Sequence, residues 1–397
     1  MVKPKILISG GSHAEIPLIV AAQKMGFCVV TSGNRPNDIG HTYSDIYEPA
    51  DFSDNEQMLQ LAQKHNISAV CSGCNDFSAI SSAYVAEQLG LPGHDSYENT
   101  LTIHHKDRFR AFCIKNNLSV PKAKGFSNFA EAFRQETSFS FPVIIKPVDL
   151  TGGKGISIVN NALQYETAIN KAFEISRTKK IVVEEFIEGS GHGFSALIHK
   201  GRVAFYFADD EYYVPDEFWV TGTSTPASIS DDEIKQLIFF SEKTISLLGL
   251  VDGLFHIQCI IKHGKVYIIE VCRRPPGDLY LKFIEHATSF DYSKAIIQFL
   301  TAQLNNSLIQ IDANGFYARH CLSGLKKGYI TDVRYSKEIT ENLIEEFRLW
   351  DSNVEITNYV SQKAVILFMQ FQSQNKMKII CNHIYQYITF VMHNNCL

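Results

Sequence analysis

The 397 residues are 45% apolar and 20% charged, ordinary values for a globular chain long enough for two or three domains. A formal net charge of -5, with Lys and Arg scattered along the chain, leaves no basic footprint for nucleic acid and points to small-molecule chemistry. The start, MVKPKILISGG, has too few apolar residues for a signal-peptide core and no run approaches a membrane span, while nine cysteines, set mostly in apolar strand-like runs, suit reduced thiols; a cytoplasmic protein with no membrane partner is expected.

The first hundred residues alternate strand and helix. Residues 5 to 9 read as a strand, Gly10-Gly11 as a tight turn, Ala14 to Met25 as a helix and Phe27 to Thr31 as the next strand; the rhythm then repeats, which predicts a parallel sheet wound on both faces over 1–100, of Rossmann-like α/β type. The first turn lacks the G-x-G-x-x-G spacing and the second strand ends in Asn34-Arg35 rather than an acid, which argues against a dinucleotide site. Turns after the strand ends face a ligand crevice, making Gly11, Ser12, His13, Asn75 and Asp76 candidate substrate residues, although Asn75-Asp76 equally suits a helix N-cap. Cys71 and Cys74 form one C-x-x-C with no second pair at zinc-site spacing.

From about Leu101 the pattern becomes α+β with antiparallel pairing, over 101–304. In FPVIIKPVDLTGGKGISIV, residues 141 to 159, Lys146 closes an apolar strand, Pro147 ends it, and Gly152, Gly153 and Gly155 free backbone N–H groups to close on anionic oxygens, with Lys154 adding charge. Lys154 is followed by Gly155 rather than Ser or Thr, so the motif is not a P-loop. Ser230 with Glu233 three residues on predicts a capped helix to Leu248. A hairpin follows. With a three-residue loop at His263-Gly264-Lys265, Gln258 stands opposite Glu270 and residue 256 opposite 272; a two-residue loop would put Gln258 and Glu270 on opposite faces. Opposed Cβ atoms are about 4.5–5.5 Å apart, close enough for one Mg²⁺ with oxygen ligands at about 2.1 Å to bridge them. Arg273 and Arg274, on a rigid Pro-Pro-Gly backbone, suit bidentate capture of phosphate or carboxylate. Residues 305–397 read as a small mixed closing domain.

In order, Lys106 in HHKDRF, Lys146 in VIIKP, TGGKG, VVEEFIEG, a Q-x11-E spacing and EVCRRPPG resemble the ATP-grasp superfamily, especially its carboxylate-amine ligases. The resemblance spans most of the chain, with a lid subdomain at about 121–188. It implies that Lys106 and Lys146 contact nucleotide phosphates and that the loop of Thr151, Gly152, Gly153, Lys154 and Gly155 folds over them. It also implies that Glu184 accepts from the adenine amino group, that Glu185, Phe186 and Ile187 border the ring, that Glu188 stands in for a missing ribose acid near His192, and that Glu270 with Gln258 holds Mg²⁺, Mn²⁺ being the alternative. Arg274 would steady the transferring phosphoryl group, and Arg273 could pair with a substrate carboxylate. The chain departs from the family where Gln258 replaces an acid and Cys272 an Asn, the latter a soft ligand unsuited to Mg²⁺.

The expected activity is ATP-dependent joining of a small carboxylate to an amine through an acyl phosphate, with Lys146 and Arg274 as catalytic residues. The rivals are a carboxylase or kinase on the same fold, or a non-catalytic nucleotide-binding module. The partners expected are the two small substrates, with a homodimer left open.

Overall fold

The computed structural model describes residues 3–135, 138–150, 153–213, 219–304, 308–324, 326–350, 354–358 and 362–393. Four parallel strands open the chain, in the spatial order Ile46–Glu48, Cys28–Ser32, Lys5–Ser9, Ala69–Ser72. Ile6, Leu7, Ile8, Val29, Val30 and Val70 are fully buried, as strands covered on both faces require. The carboxyl ends of these strands deliver the turns at Ser12 and Cys74 to one edge. Glu15 ties the two together, accepting from Ser12 N at 2.7 Å and Cys74 N at 2.8 Å. The predicted first helix is preceded by a 3-10 turn, His13–Glu15, capped by Ser12, before the helix Ile16–Lys24.

The remaining strands are antiparallel. A four-stranded sheet, ordered Ala123–Phe126, Ile181–Glu185, Val143–Pro147, Ser157–Val159, carries the helices Phe129–Arg134 and Ala162–Ile175. An eight-stranded sheet runs Lys265–Cys272, Gly253–Lys262, Ser190–His199, Arg202–Tyr213, Val220–Thr225, Phe316–Leu322, Val365–Phe371, Leu343–Arg348. The last hundred residues thus extend the central sheet by three strands, and their three-stranded sheet (Val354–Ile356, Gly328–Tyr335, Ile388–His393) is a satellite. One core runs from Ile6 and Leu18 through Phe283 and Ile296 to Phe368, joining the first and last segments. Ser230 caps Asp231–Leu248 with Glu233 completing the capping box. Among the described residues no helix is long and apolar enough to cross a membrane.

Candidate active site

The Gly253–Lys262/Lys265–Cys272 hairpin corrects one expectation. Lys262 pairs with Lys265, so the loop is the two residues His263-Gly264, both with positive φ (52° and 77°), the conformation that short hairpin turns favour. Gln258 nevertheless stands opposite Glu270 and His256 opposite Cys272, because the register slips by one between Gln258 and Cys259. Ile269 is the extra residue. Its carbonyl accepts from Arg110 Nη2 at 2.7 Å, so a guanidinium holds the bulge that turns Glu270 onto the face of Gln258.

Arg110 holds more than the bulge. It lies four residues after Lys106 on the helix Lys106–Lys115, is 2% exposed, and places Nε 2.7 Å from Glu184 Oε1. Lys146 Nζ lies 2.6 Å from the other oxygen of the same carboxylate. Burial alone would raise the carboxyl of Glu184, but Arg110 and then Lys146 outweigh it and hold it down to about 2; burial also lowers Lys146. One acid between two cations leaves net positive charge in the wall of the cleft.

That cleft, of about 600 Å³, separates the four-stranded sheet from the eight-stranded one. Of the residues singled out from sequence, it brings together Asn75, Lys106, Lys146, Gly153, Glu184, Glu185, Phe186, Ile187, Glu188, Gln258, Glu270 and Arg274. Ile144, Ile156 and Ile269 make part of the wall apolar, enough to sandwich an aromatic base. Lys106 Nζ donates to Leu150 O at 2.8 Å and sits 3.4 Å from Glu270 Oε1; burial works against its charge, but Glu270 and Asp76 more than offset this and raise its pKa. Lys154 is exposed and Gly155 lies in the same loop with φ 73°, while Thr151 and Gly152 fall outside the described residues.

Several expected contacts are spent elsewhere. Arg273 does not face the cleft: its Nε lies 2.7 Å from Asp95 Oδ2 and its Nη atoms donate to the carbonyls of Leu254 and Val251, so its donors tie the hairpin to the segment before Tyr97–His104. Asn75 is the N-cap of Asp76–Leu89, accepting from Ser78 N at 2.9 Å, and Asp76 is buried with Arg274 Nε at 2.9 Å and His104 Nδ1 at 3.0 Å. Asp76, at the start of the helix that follows the strand Ala69–Ser72, thus positions Arg274 rather than meeting a ligand itself. Glu185 N–H is taken by Lys122 O. His192 is turned away onto Asp210, 3.0 Å distant, leaving Glu188 at the cleft. Gly11 packs against the His41 ring, and Ser12 and His13 border an adjoining cavity of about 350 Å³ that meets the main cleft at Asp278 and Lys363.

The metal seat can be tested on its donors. Burial pushes the Cys272 thiol well above its usual range, so it offers no thiolate. Gln258 donates its Nε2 to Glu211 Oε1 at 2.8 Å. Among the described residues no group of three or more His, Cys, Asp or Glu side chains could hold a metal ion alone. Glu270 and the amide oxygen of Gln258 are hard donors that fit one Mg²⁺ sharing the phosphate oxygens of a nucleotide, and they do not fit a protein-only cage.

Sequence reasoning missed Arg110, Glu211, Thr223 and Arg319. Strand alternation makes the reason plain for Glu211. Asp209, Glu211 and Tyr213 share one face of Arg202–Tyr213, whereas Asp210 turns to Ser228 and His192 on the other. Burial raises both Glu211 and, more strongly, Asp209, whose carboxyl Tyr280 caps. The signal for Arg110 was its i, i+4 spacing from Lys106, and for Arg319 a charge on the buried side of YARHC.

Residues 139–281 match the family model of the ATP-grasp domain. The large chain of carbamoyl phosphate synthase from Pseudothermotoga lettingae is 26% identical over 266 residues, 65% of this chain and 24% of that protein. The chain spans about a quarter of the length of the curated relatives it matches. L-amino acid ligase from Bacillus licheniformis superposes with a TM-score of 0.82 at 17% identity over 99% of both chains. Phosphoribosylglycinamide synthetase from Anaerococcus prevotii does so at 0.77 and 21% identity, over 98% of this chain and 100% of that one. The protein is therefore built on the ATP-grasp fold, with a cleft between two antiparallel sheets. Residues 139–281 are the part of the chain that carries the ATP-grasp domain match.

Proposed function

We propose that the chain is an ATP-dependent ligase that joins a small carboxylate to an amine, releasing ADP and phosphate. The observation that carries this reading is the convergence on one cleft of Lys146 from the four-stranded sheet with Lys106, Arg274, Glu270 and Gln258 from the opposite side, Lys106 lying 3.4 Å from Glu270, around a space open to a nucleotide. The base lies against Ile144 and Ile187, and Glu188 serves the ribose. Because Glu184 is occupied by Lys146 and Arg110, its role is to hold Lys146 in place rather than to accept from adenine.

A carboxylate is a poor electrophile until its oxygen becomes a leaving group. Lys146 and Lys106 bind the phosphate oxygens, while Arg274, braced by Asp76, faces the carboxylate and the phosphoryl group passing to it. Glu270 and Gln258 would hold Mg²⁺, which would supply charge neutralisation at the phosphate oxygens. The amine attacks the resulting acyl phosphate, forming the C–N bond as the C–O bond to phosphate breaks. No protein nucleophile is required. ADP release is measured over paired carboxylates and amines, with the product weighed by mass spectrometry; ATP binding with no release from any pair would overturn the reading.

A further inference from the structure

Three adjacent strands of the eight-stranded sheet place an acid, a hydroxyl and a guanidinium in one row. Glu211 pairs directly with Thr223, and Thr223 with Arg319, so the three side chains share a face, and all three line the cleft. Thr223 is 1% exposed and Arg319 5%, yet Thr223 Oγ1 and Arg319 Nε have no hydrogen-bond partner among the described residues. Arg319 is fixed rather than free: its Nη1 donates to Gly277 O at 3.0 Å and Asp278 O at 2.9 Å, and its guanidinium lies over the Tyr280 ring. Buried donors left without an acceptor are costly unless a ligand supplies one. The row also has a direction, since Gln258 Nε2 reaches Glu211, so the acid end adjoins Gln258 and Glu270 while the arginine end lies two strands further along the sheet, beside Gly277 and Asp278.

We propose that this row is the subsite of a free α-amino acid bound as its zwitterion, with the ammonium on Glu211 and the carboxylate on Thr223 Oγ1 and Arg319 Nε. Neighbouring strands lie about 4.7–4.9 Å apart, which sets Glu211 and Arg319 on lines roughly 9.5 Å apart. An ammonium and carboxylate separated by about 3 Å, with a hydrogen bond of about 2.8 Å at each end, span nearly that distance. The role of the bound molecule rests on the ligase reading: its amino group, on Glu211, lies at the end of the row that adjoins Gln258 and Glu270, so it is the nucleophile, and a different acid is activated at Lys146 and Arg274.

The test is calorimetric titration of the full chain, with Mg²⁺ and the β,γ-imido analogue of ATP present, using the common L-amino acids one at a time. For the tightest binder, the carboxamide and the N-acetyl forms are titrated in parallel. The expected result is binding of the free amino acid, with each capped form weaker by at least about tenfold. Arg319→Gln and Glu211→Gln are expected to weaken it similarly, and Arg319→Gln, which touches neither Gln258 nor Glu270, to leave affinity for the ATP analogue within about twofold. Thr223→Val, which keeps the side-chain shape, guards against misfolding of the charge variants and is expected to weaken binding several-fold. Absence of binding by any amino acid, equal binding of the capped forms, or unchanged binding in Thr223→Val and Arg319→Gln overturns the proposal. If amino acids bind as expected while no pair releases ADP, the ligase reading fails and the subsite stands; if ADP is released with amines while no amino acid binds, the subsite fails alone.

Discussion

Lys146 reaches the Glu184 carboxylate across two neighbouring strands, Nζ to Oε2 at 2.6 Å, and Arg110 closes the other oxygen at 2.7 Å. The lysine proposed to bind phosphate is thus anchored by an acid that would keep one cation if the lysine were lost.

Lys146→Met is therefore expected to reduce ADP release at saturating ATP by at least about 100-fold while the fold survives, since Glu184 keeps Arg110. Arg110→Met is expected to be the more damaging to stability, by about 3–5 kcal/mol, because it half-strips a buried carboxylate and frees the Ile269 carbonyl. Thermal denaturation beside turnover separates the two. Retained turnover in Lys146→Met would remove it from the phosphate site.

Acid should destabilise the protein through the same carboxylate. Against burial, Arg110 and Lys146 hold Glu184 at about 2 instead of 4.5. Arg274 and His104 likewise depress Asp76, and Lys363 and His13 depress Asp278. A folded pKa below the unfolded one means that the native state binds the proton less readily, so the stabilisation is complete above pH 4.5 and is lost as pH falls toward 2. For Glu184 the shift is worth about 3 kcal/mol. Denaturant titrations between neutral pH and pH 3 are expected to show falling stability below 4.5, with a shallower fall in Glu184→Gln.

Gln258→Glu tests the metal seat without relying on turnover. The substitution replaces the amide that donates to Glu211 at 2.8 Å with a second acid opposite Glu270. Three carboxylates with Lys106 as the cation beside Glu270 repel when no metal ion is bound, so the melting temperature is expected to fall in chelator and to recover with millimolar Mg²⁺ by more than the wild type gains. An equal response to Mg²⁺ in both proteins would remove residue 258 from the metal seat.

The hairpin shows how far the sequence could be read. The pairing of Gln258 with Glu270 was anticipated, but from a three-residue loop; the chain instead uses a two-residue loop and slips back into register at Ile269. A bulge leaves almost no mark in a run such as KVYIIEV, and the group that holds it, Arg110, is more than 150 residues away. The order of motifs was legible because each is local: a strand ending in Lys146, a Gly-rich loop, the Ser230 cap. Arg274 was expected at the phosphoryl group and Arg273 at a substrate carboxylate, but adjacent side chains turn different ways and their partners, Asp76 and Asp95, leave Arg274 alone of the two at the cleft. The row from Glu211 to Arg319 was equally hidden, because its register depends on three strands that the sequence separates by up to about a hundred residues.

Gly155→Ala probes the loop over the cleft. Its φ of 73° is left-handed, where an alanine costs about 1 kcal/mol, and the added methyl carbon would fall 1.9 Å from Ile175 Cδ1. Ile175 ends the helix Ala162–Ile175 and is 41% exposed, so its tip can swing aside and the backbone term dominates. The variant is expected to lose about 1–2 kcal/mol, with faster hydrogen exchange confined to residues 153–159, and to raise the KM for ATP several-fold. Adding Ile175→Val removes the offending Cδ1 and is expected to recover less than half of the lost stability. Full recovery would mean that the close approach, and not the left-handed backbone, is what requires glycine there.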